Sequence, residues 1–167
     1  FSRSGDVLTV TLGATLTTGQ TGSVGVLYSG NPAGGSFGWA SHGGEHMIWT
    51  LSEPYGARDW WPCKDVNTDK ADSLSMRVTV PDHLIVASNG SQISDTPNGA
   101  THTVHWRTEY PIVTYLVSLA IHPYHVYGDW YDPIDGGDPM PVSFFVYPSH
   151  VDDVAENYAL TVPMIEH

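Results

Sequence analysis

Apolar and polar residues alternate along most of this chain, which is the period-two pattern of β-strands with one buried face. Glycine, proline and asparagine-glycine turns separate the alternating segments, and Asn89-Gly90 is the strongest of these turn signals. The predicted strands cover residues 7–12, 23–28, 46–51, 74–80, 84–88, 101–107, 114–121, 126–131 and 142–147. Short strands at this spacing predict an all-β fold, an antiparallel β-sandwich.

One short helix is predicted at the C-terminal end of the chain. Ser149 is a suitable N-cap, and Asp152 and Asp153 would lie in the first turn, where negative charge is favourable. Pro163 would kink or end the helix. The expected organisation is a β-sandwich over residues 1–148, followed by a helix or linker over residues 149–167.

Charge and cysteine content narrow the possible functions. Six Lys and Arg residues against 18 Asp and Glu residues give a net charge of −12. Nucleic acid and an anionic membrane surface are therefore not expected as partners, because both attract clustered positive charge. A single cysteine, Cys63, excludes an internal disulfide and a cysteine-based metal cage. The acidic, lysine-poor composition favours an exported or salt-adapted protein.

His42-Gly-Gly-Glu-His46 matches the H-x-x-E-H pattern of inverted zinc peptidases. That pattern binds zinc on a helix, where residues four apart share one face. Gly43-Gly44 instead favours a glycine-rich turn with exposed histidines, so no metal site is expected here. A metal-dependent hydrolase that uses His42 and His46 is kept as a weaker hypothesis.

Histidines also occur in the pairs His102/His105 and His122/His125. Residues three apart on a strand point to opposite faces, so neither pair is expected to chelate a metal. These histidines are predicted to be hydrogen-bonded or exposed.

The loop over residues 129–138 carries four regularly spaced aspartates and could bind calcium through their oxygens. The alternative is a solvated acidic loop, because the spacing is not that of an EF-hand. These residues are Asp129, Asp132, Asp135 and Asp138.

Four aromatic residues, Trp60, Trp61, Trp130 and Tyr131, could form a sugar-stacking platform. Packing in the core is the commoner role of such residues. A free-standing β-sandwich that binds carbohydrate or protein is therefore the alternative hypothesis for the function of the chain.

The segment 53–71 concentrates the unusual residues of the chain. It contains three of the six basic residues, the only cysteine and the adjacent Trp60 and Trp61. The sequence reads Thr50-Leu-Ser-Glu53-Pro54, then Ala57-Arg58, then Trp61-Pro-Cys-Lys-Asp65, then Lys70-Ala71.

This segment resembles a signature of the N-terminal domain of the gluzincin zinc aminopeptidases, the family of aminopeptidase N and leukotriene A4 hydrolase. The segments 78–81, 87–90 and 114–119 also resemble later strands of that domain. The likeness is strongest to bacterial members. The resemblance implies a saddle-like β-sandwich that precedes a catalytic domain, in which zinc bound by H-E-x-x-H and a distant glutamate hydrolyses peptides. Together with the acidic, lysine-poor composition, this likeness to bacterial members favours an extracellular or periplasmic bacterial protein.

What the resemblance implies for individual residues is limited. Glu53 matches the position that binds the free α-amine of the peptide substrate; the alternative is a structural ion pair with Arg58. Arg58, Pro62, Cys63 and Asp65 match a structural signature.

The resemblance also implies a fragment that is inactive alone. The chain lacks H-E-x-x-H, so zinc is expected only in the parent enzyme and no cofactor is expected here. The expected partners are the substrate N-terminus and the catalytic domain. The family's first strands are expected to be missing, which would expose a sheet edge and allow self-association.

Two positions depart from the family pattern. Leu51 replaces a glutamine, and Asp65-Val66-Asn67 replaces D-E-P. The first change removes a polar contact near the first side chain of the substrate, and the second affects the loop geometry.

Overall fold

The computed structural model describes residues 1–32 and 35–166, with the side chains of Asp153 and Ala155 also outside the described part. The chain divides into two compact units, Phe1–Gly30 and Asn31–His167. No helix in the described ranges is long and apolar enough to cross a membrane.

The first unit contains one small antiparallel hairpin. Strands β1 (Ser2–Ser4) and β2 (Val7–Thr9) pair around a turn at Gly5, which has a φ of +56°. The predicted strand 7–12 is thus shorter than expected. The predicted strand 23–28 is wrong, since these residues form no strand. Their apolar side chains are exposed, so no buried face stabilises the alternating pattern.

The second unit contains nine strands and two short helices among its described residues. The strands are β3 (Phe37–His42), β4 (Glu45–Thr50), β5 (Leu74–Pro81), β6 (Ile85–Ser88), β7 (Ser91–Asn98), β8 (Thr101–Thr108), β9 (Leu119–His122), β10 (His125–Tyr131) and β11 (Met140–Val146). The helices are α1 (Val151–Tyr158) and α2 (Thr161–Ile165). Single 3₁₀ turns cover Ala57–Asp59, Thr114–Leu116 and Pro148–His150.

Two antiparallel sheets enclose the core of this unit. One has the strand order β3-β4-β9-β6 and the other has the order β5-β8-β7, while β10 and β11 form a separate hairpin. The buried side chains come from both sheets and from the turn before β6, and they are Val80, Leu84, Val86, Val104, Trp106 and Ile121. The predicted all-β sandwich is therefore confirmed.

In the second unit, β3 and β7 lack the pattern that predicted the other strands. In β3, Gly38 interrupts the alternation because the Trp49 ring lies where a side chain would project; a Cβ would meet its Cε2 atom at 1.9 Å. All residues of β7 are exposed and most are polar, so hydrophobic periodicity gives no signal there. β7 forms because it pairs with the edge of β8 across a tight turn.

The predicted strand 114–121 is wrong in its first half. Val113, Thr114 and Val117 are buried, which is the spacing of a helical turn, and Thr114–Leu116 forms a 3₁₀ turn before β9. The predicted helix at the C-terminal end is present as α1, with Asp152 in its first turn. The prediction that Pro163 kinks or ends this helix is wrong, because α1 ends at Tyr158 and Pro163 lies inside the separate helix α2. The Asp153 side chain, which was predicted to lie in the first turn, is outside the described part of the chain, and so is His167.

Candidate functional site: the loop after strand β4

Two backbone hydrogen bonds hold the start of the loop after β4. The Leu51 amide donates to the Ser36 carbonyl at 2.9 Å, and the Gly56 amide donates to the Ser52 carbonyl at 2.7 Å. The second bond closes the turn that carries Glu53. A Cβ at position 56 would meet Ser36 Oγ at 2.0 Å, so a larger residue here would displace the hydroxyl group that donates to Asp59.

Glu53 is exposed at the first position of this turn, directly after the buried Ser52. Its carboxylate makes no hydrogen bond or ion pair with another described residue, and its peptide bond to Pro54 is cis. The alternative ion pair of Glu53 with Arg58 does not form, because the Arg58 guanidinium faces Asp65. The exposed Leu51 and Tyr55 lie on either side of Glu53 in the sequence.

Side-chain hydrogen bonds hold the following 3₁₀ turn against β3. Ser36 Oγ donates to Asp59 Oδ2 at 2.7 Å, and Trp60 Nε1 donates to Ser52 Oγ at 3.0 Å. The Trp60 ring also packs on Phe37, with 6.1 Å between ring centroids. Sequence reasoning missed Ser36 and Ser52, because Ser36 lies 23 residues from Asp59 and no short motif links them.

Asp65 anchors the second half of the loop. Its side chain is only 5% exposed and lies 3.9 Å from Arg58 Nε, while Thr114 Oγ1 donates to its Oδ1 at 3.1 Å. Nearby, Ala71 and Ile112 exchange two backbone hydrogen bonds of 2.9 Å. These contacts tie the two ends of the segment 65–71 to the segment 112–114.

Cys63 is partly buried next to this ion pair, and Pro62 before it is exposed. Burial raises the pKa of the Cys63 thiol to about 11, the negative charge of Asp65 adds to this effect, and Arg58 partly offsets it. The sulfur is therefore a neutral thiol near pH 7, which is unsuited to nucleophilic catalysis.

The His42–His46 pattern forms a hairpin turn, as predicted. Gly43 and Gly44 have φ values of +61° and +87°, and His42 pairs with Glu45 across the turn between β3 and β4. His42 and His46 therefore lie on two strands, not on one face of a helix. Across residues 1–32 and 35–166, no group of three or more His, Cys, Asp or Glu side chains could hold a metal ion, so these residues do not fit a zinc site.

His102 and His105 lie on opposite faces of β8, as strand geometry predicts, whereas His122 ends β9 and His125 begins β10, so a turn separates the second pair. His102 and His122 are buried, while His125 is exposed and His105 binds Ser75 Oγ at 2.8 Å.

The four aspartates of the loop 129–138 are not gathered around one point. Asp129 accepts a hydrogen bond from the Trp130 amide at 2.8 Å, and Asp135 accepts one from the Gly137 amide at 3.3 Å. The described residues give no sign of a calcium cage, and the loop is exposed.

The aromatic residues proposed as a platform lie in two separate places. Trp60 and Trp61 pack against each other at 6.1 Å and are partly buried. Trp130 and Tyr131 lie at the end of β10, and no ring contact joins them to Trp60 or Trp61 within the described part of the chain. A single four-ring sugar platform is not present there.

A cluster of imidazole and tyrosine rings was not predicted from the sequence. His42 lies against Tyr147 at 4.1 Å between ring centroids, and against His122 and His150 at 5.6 and 5.9 Å. Burial raises the pKa of the neighbouring Tyr124 to about 12, and its contact with the Tyr147 hydroxyl adds to this effect. This ring cluster attaches the chain before α1 to the β3–β4 hairpin.

The family profile of the peptidase M1 N-terminal domain matches residues 1–116, which include the whole loop after β4. The chain belongs to the peptidase M1 N-terminal domain family. The resemblance of the segment 53–71 to the zinc aminopeptidases is thereby confirmed at the level of the family. No curated protein sequence matches the chain.

Solved structures share the fold of this M1 N-terminal domain. An M1 zinc metallopeptidase from Deinococcus radiodurans superposes with a TM-score of 0.65 at 24% identity, over 78% of this chain and 29% of the metallopeptidase. A structure of that enzyme with a Tyr-Ser-Ala substrate gives a TM-score of 0.55 at 27% identity, over 64% and 24% of the two chains. Aminopeptidase A from Legionella pneumophila gives 0.56 at 20% identity, over 72% and 14%. The M1 N-terminal domain thus spans less than a third of each of these relatives.

Proposed function

We propose that this domain is part of a zinc aminopeptidase and that Glu53 binds the free α-amine of the peptide substrate in the complete enzyme. The observation that carries this proposal is the exposed Glu53 carboxylate, which has no partner among the described residues. A carboxylate in this position is available to pair with an ammonium group, in a charge-assisted hydrogen bond.

The surroundings of Glu53 suit this role. Ser36, Ser52 and Asp59 hold the loop by short hydrogen bonds on its buried side, so the carboxylate projects from a fixed backbone. A fixed anion that binds the substrate N-terminus places the first peptide bond at a constant distance, which selects for exopeptidase cleavage. The Tyr-Ser-Ala substrate of the Deinococcus radiodurans relative supports a peptide substrate class.

Arg58, Pro62, Cys63 and Asp65 have a structural role in this proposal. The Arg58–Asp65 ion pair and the Thr114–Asp65 hydrogen bond fix the loop, and Cys63 packs beside them as a neutral thiol. None of these side chains takes part in the chemistry.

Zinc is assigned to a catalytic domain outside this chain, because the described residues contain no suitable ligand group. When bound there, zinc supplies an activated water for peptide hydrolysis. Residues 149–167, with α1 and α2, would lead from the β-sandwich towards that domain. The domain would then have the substrate N-terminus and its own catalytic domain as partners.

The test is Glu53→Gln in the complete enzyme, assayed on substrates with a free N-terminus. We expect kcat/KM to fall by an amount on the order of 2–4 kcal/mol, because a charge-assisted contact to the substrate is lost. Glu45→Gln is the matched control, since Glu45 is an exposed glutamate on the preceding strand β4.

Two results would contradict the proposal in different ways. Unchanged kinetics in Glu53→Gln would remove Glu53 from the substrate site but leave the aminopeptidase assignment intact. A complete protein that contains no zinc and cleaves no aminoacyl substrate would remove the assignment itself.

A further inference from the structure

Two side-chain N–H groups of β8 reach from one sheet to the edge of the other. His102 Nε2 lies 2.8 Å from the Leu84 carbonyl oxygen, and Trp106 Nε1 donates to the Val86 carbonyl oxygen at 3.1 Å. Strand β6 is the last strand of its sheet. Leu84 and Val86 are two residues apart, so their carbonyls point the same way, and here they point away from β9. The two contacts therefore cover the open side of an edge strand.

The other nitrogen of His102 binds a carboxylate. Nδ1 lies 2.6 Å from Asp95 Oδ1 on the neighbouring strand β7. A backbone carbonyl can only accept a hydrogen bond, and an ionised carboxylate can only accept one as well. Both contacts can therefore form together only if both ring nitrogens carry a proton, which means that His102 is an imidazolium.

This cation is placed in the core, where only 7% of His102 is exposed. Strand β5 contributes the apolar Val80 opposite His102, and β7 contributes Pro97 on the other side. Asp82, in the turn before β6, adds a second negative charge. Burial opposes the charged ring, but the hydrogen bonds to Asp95 and Leu84 and the charges of Asp95 and Asp82 outweigh it and raise the pKa of His102.

The remaining charged groups near this turn do not compete for the imidazole. His83 lies 3.9 Å from Asp82 and 3.8 Å from Glu45. Three residues further along β8, partial burial and the cations Arg77 and Arg107 lower the pKa of His105. The pKa values of these two histidines of β8 thus shift in opposite directions, because His102 faces carboxylates and His105 faces guanidinium groups.

We propose that His102 is a proton-dependent link between the two sheets, in which its imidazolium holds β6 against β7 and β8. Loss of the proton leaves only one N–H on the ring, so either the bond to Asp95 or the bond to Leu84 breaks. This role concerns the stability of the domain and does not depend on the proposed peptidase function.

The direction of the pH effect follows from the raised pKa of the folded state. The stabilisation by His102 is fully present below the ordinary value of 6.5 and is lost as the pH rises through the higher pKa of the folded chain. In Asp95→Asn the hydrogen bond and the charge of Asp95 are lost while Leu84 and Asp82 remain, so the pKa of His102 should fall and this dependence should weaken.

The experiment is NMR of the imidazole nitrogens in the whole chain from about pH 5.5 to about pH 8.5, the range in which histidine titrates. For His102 we expect two protonated ring nitrogens at pH 6.5, with slow exchange of the Nε2 proton. In Asp95→Asn the ring should lose its second proton at a lower pH than in the unmodified chain. Urea unfolding over the same range should show stability falling with pH relative to His102→Gln, whereas His125→Gln, a change at an exposed histidine, should retain the native slope.

A neutral His102 at pH 6.5 in the unmodified chain would overturn the proposal, even if a variant fails to fold. An unchanged titration of His102 in Asp95→Asn would overturn it as well, because the carboxylate would then have no effect on the proton.

Discussion

At the residue scale, Glu53 and Asp65 differ in burial and in partners, and this difference underlies the separate roles proposed for them. Both carboxylates belong to the same loop, but Asp65 is buried beside Arg58 and Thr114, whereas Glu53 is exposed and has no partner in the described chain. The buried carboxylate is committed to the loop, because a buried charge without a partner is costly. The exposed carboxylate is free to bind a ligand.

The hydrogen bond from Thr114 to Asp65 can be tested by Thr114→Val. The change keeps the shape of the side chain but leaves the buried Oδ1 of Asp65 without its donor. We expect a loss of about 1–3 kcal/mol in the free energy of unfolding, measured by urea denaturation. Thr79→Val, which removes a bond between Thr79 and Thr103 on an exposed strand face, should cost only about 0.5 kcal/mol or less. Equal losses in both variants would mean that Asp65 does not depend on Thr114.

Some residues of the loop after β4 could be predicted from the sequence, but their distant partners could not. The segment 53–71 identified Glu53, Arg58, Cys63 and Asp65 because the residues of a signature are close in the chain. Ser36 and Thr114 could not be found in this way. They reach Asp59 and Asp65 across 23 and 49 residues, and only the packed fold brings them together.

At the element scale, the strands predicted most accurately, β5 and β8, have one face that is more buried than the other. Strand β8 alternates between buried and partly exposed residues, and its range matches the prediction within one residue. Strand β7 has no buried face, and the turn Thr114–Leu116 buries residues at helical spacing, so periodicity fails for both. Periodicity therefore predicts a strand where one face is buried, and it fails where no face is buried or where the buried residues follow helical spacing.

The turns of β7 provide a test at this scale, because Gly90 and Gly99 both have positive φ values, of +83° and +67°. A Cβ at Gly90 would meet the Arg107 carbonyl oxygen at 2.1 Å, whereas a Cβ at Gly99 would meet nothing within 4 Å. Gly99→Ala should therefore cost about 1–2 kcal/mol from the backbone conformation alone.

Gly90→Ala should add a further loss of about 1–3 kcal/mol, because the backbone of β8 must move. Thermal and urea unfolding of both variants give the comparison. A larger loss of stability in Gly99→Ala than in Gly90→Ala would contradict the close approach of Gly90 to the Arg107 backbone.

At the scale of the whole molecule, the two sheets end in edges of different character. Strand β7 carries Pro97, Asp95 and an irregularity between Gln92 and Ser94, which are features that discourage pairing with another chain. Strand β3 lies at the edge of the other sheet, has no Lys, Glu or Pro, and exposes 67% of Trp39. The predicted self-association of the isolated chain is therefore expected to use β3.

Sedimentation analysis of the isolated chain tests this prediction. The unmodified chain should form dimers or larger species as its concentration rises, and Trp39→Lys should shift it towards the monomer, because charge at an edge opposes strand pairing. Ile93→Lys on β7 is the matched control and should have no effect. A chain that is monomeric at all concentrations would contradict the prediction.

The proposed recognition of the substrate α-amine by Glu53 is tested most directly by an inhibitor cycle in the complete enzyme. The inhibition constants of an amino-acid-derived inhibitor and of its analogue without the amine are measured with the unmodified enzyme and with Glu53→Gln. The unmodified enzyme should prefer the amine by about 1.5–3 kcal/mol, the range for a hydrogen bond to a charged group. In Glu53→Gln that preference should largely disappear, because the analogue is unaffected while the amine loses its partner. An equal preference for the amine in both enzymes would show that another group binds it and would contradict the account.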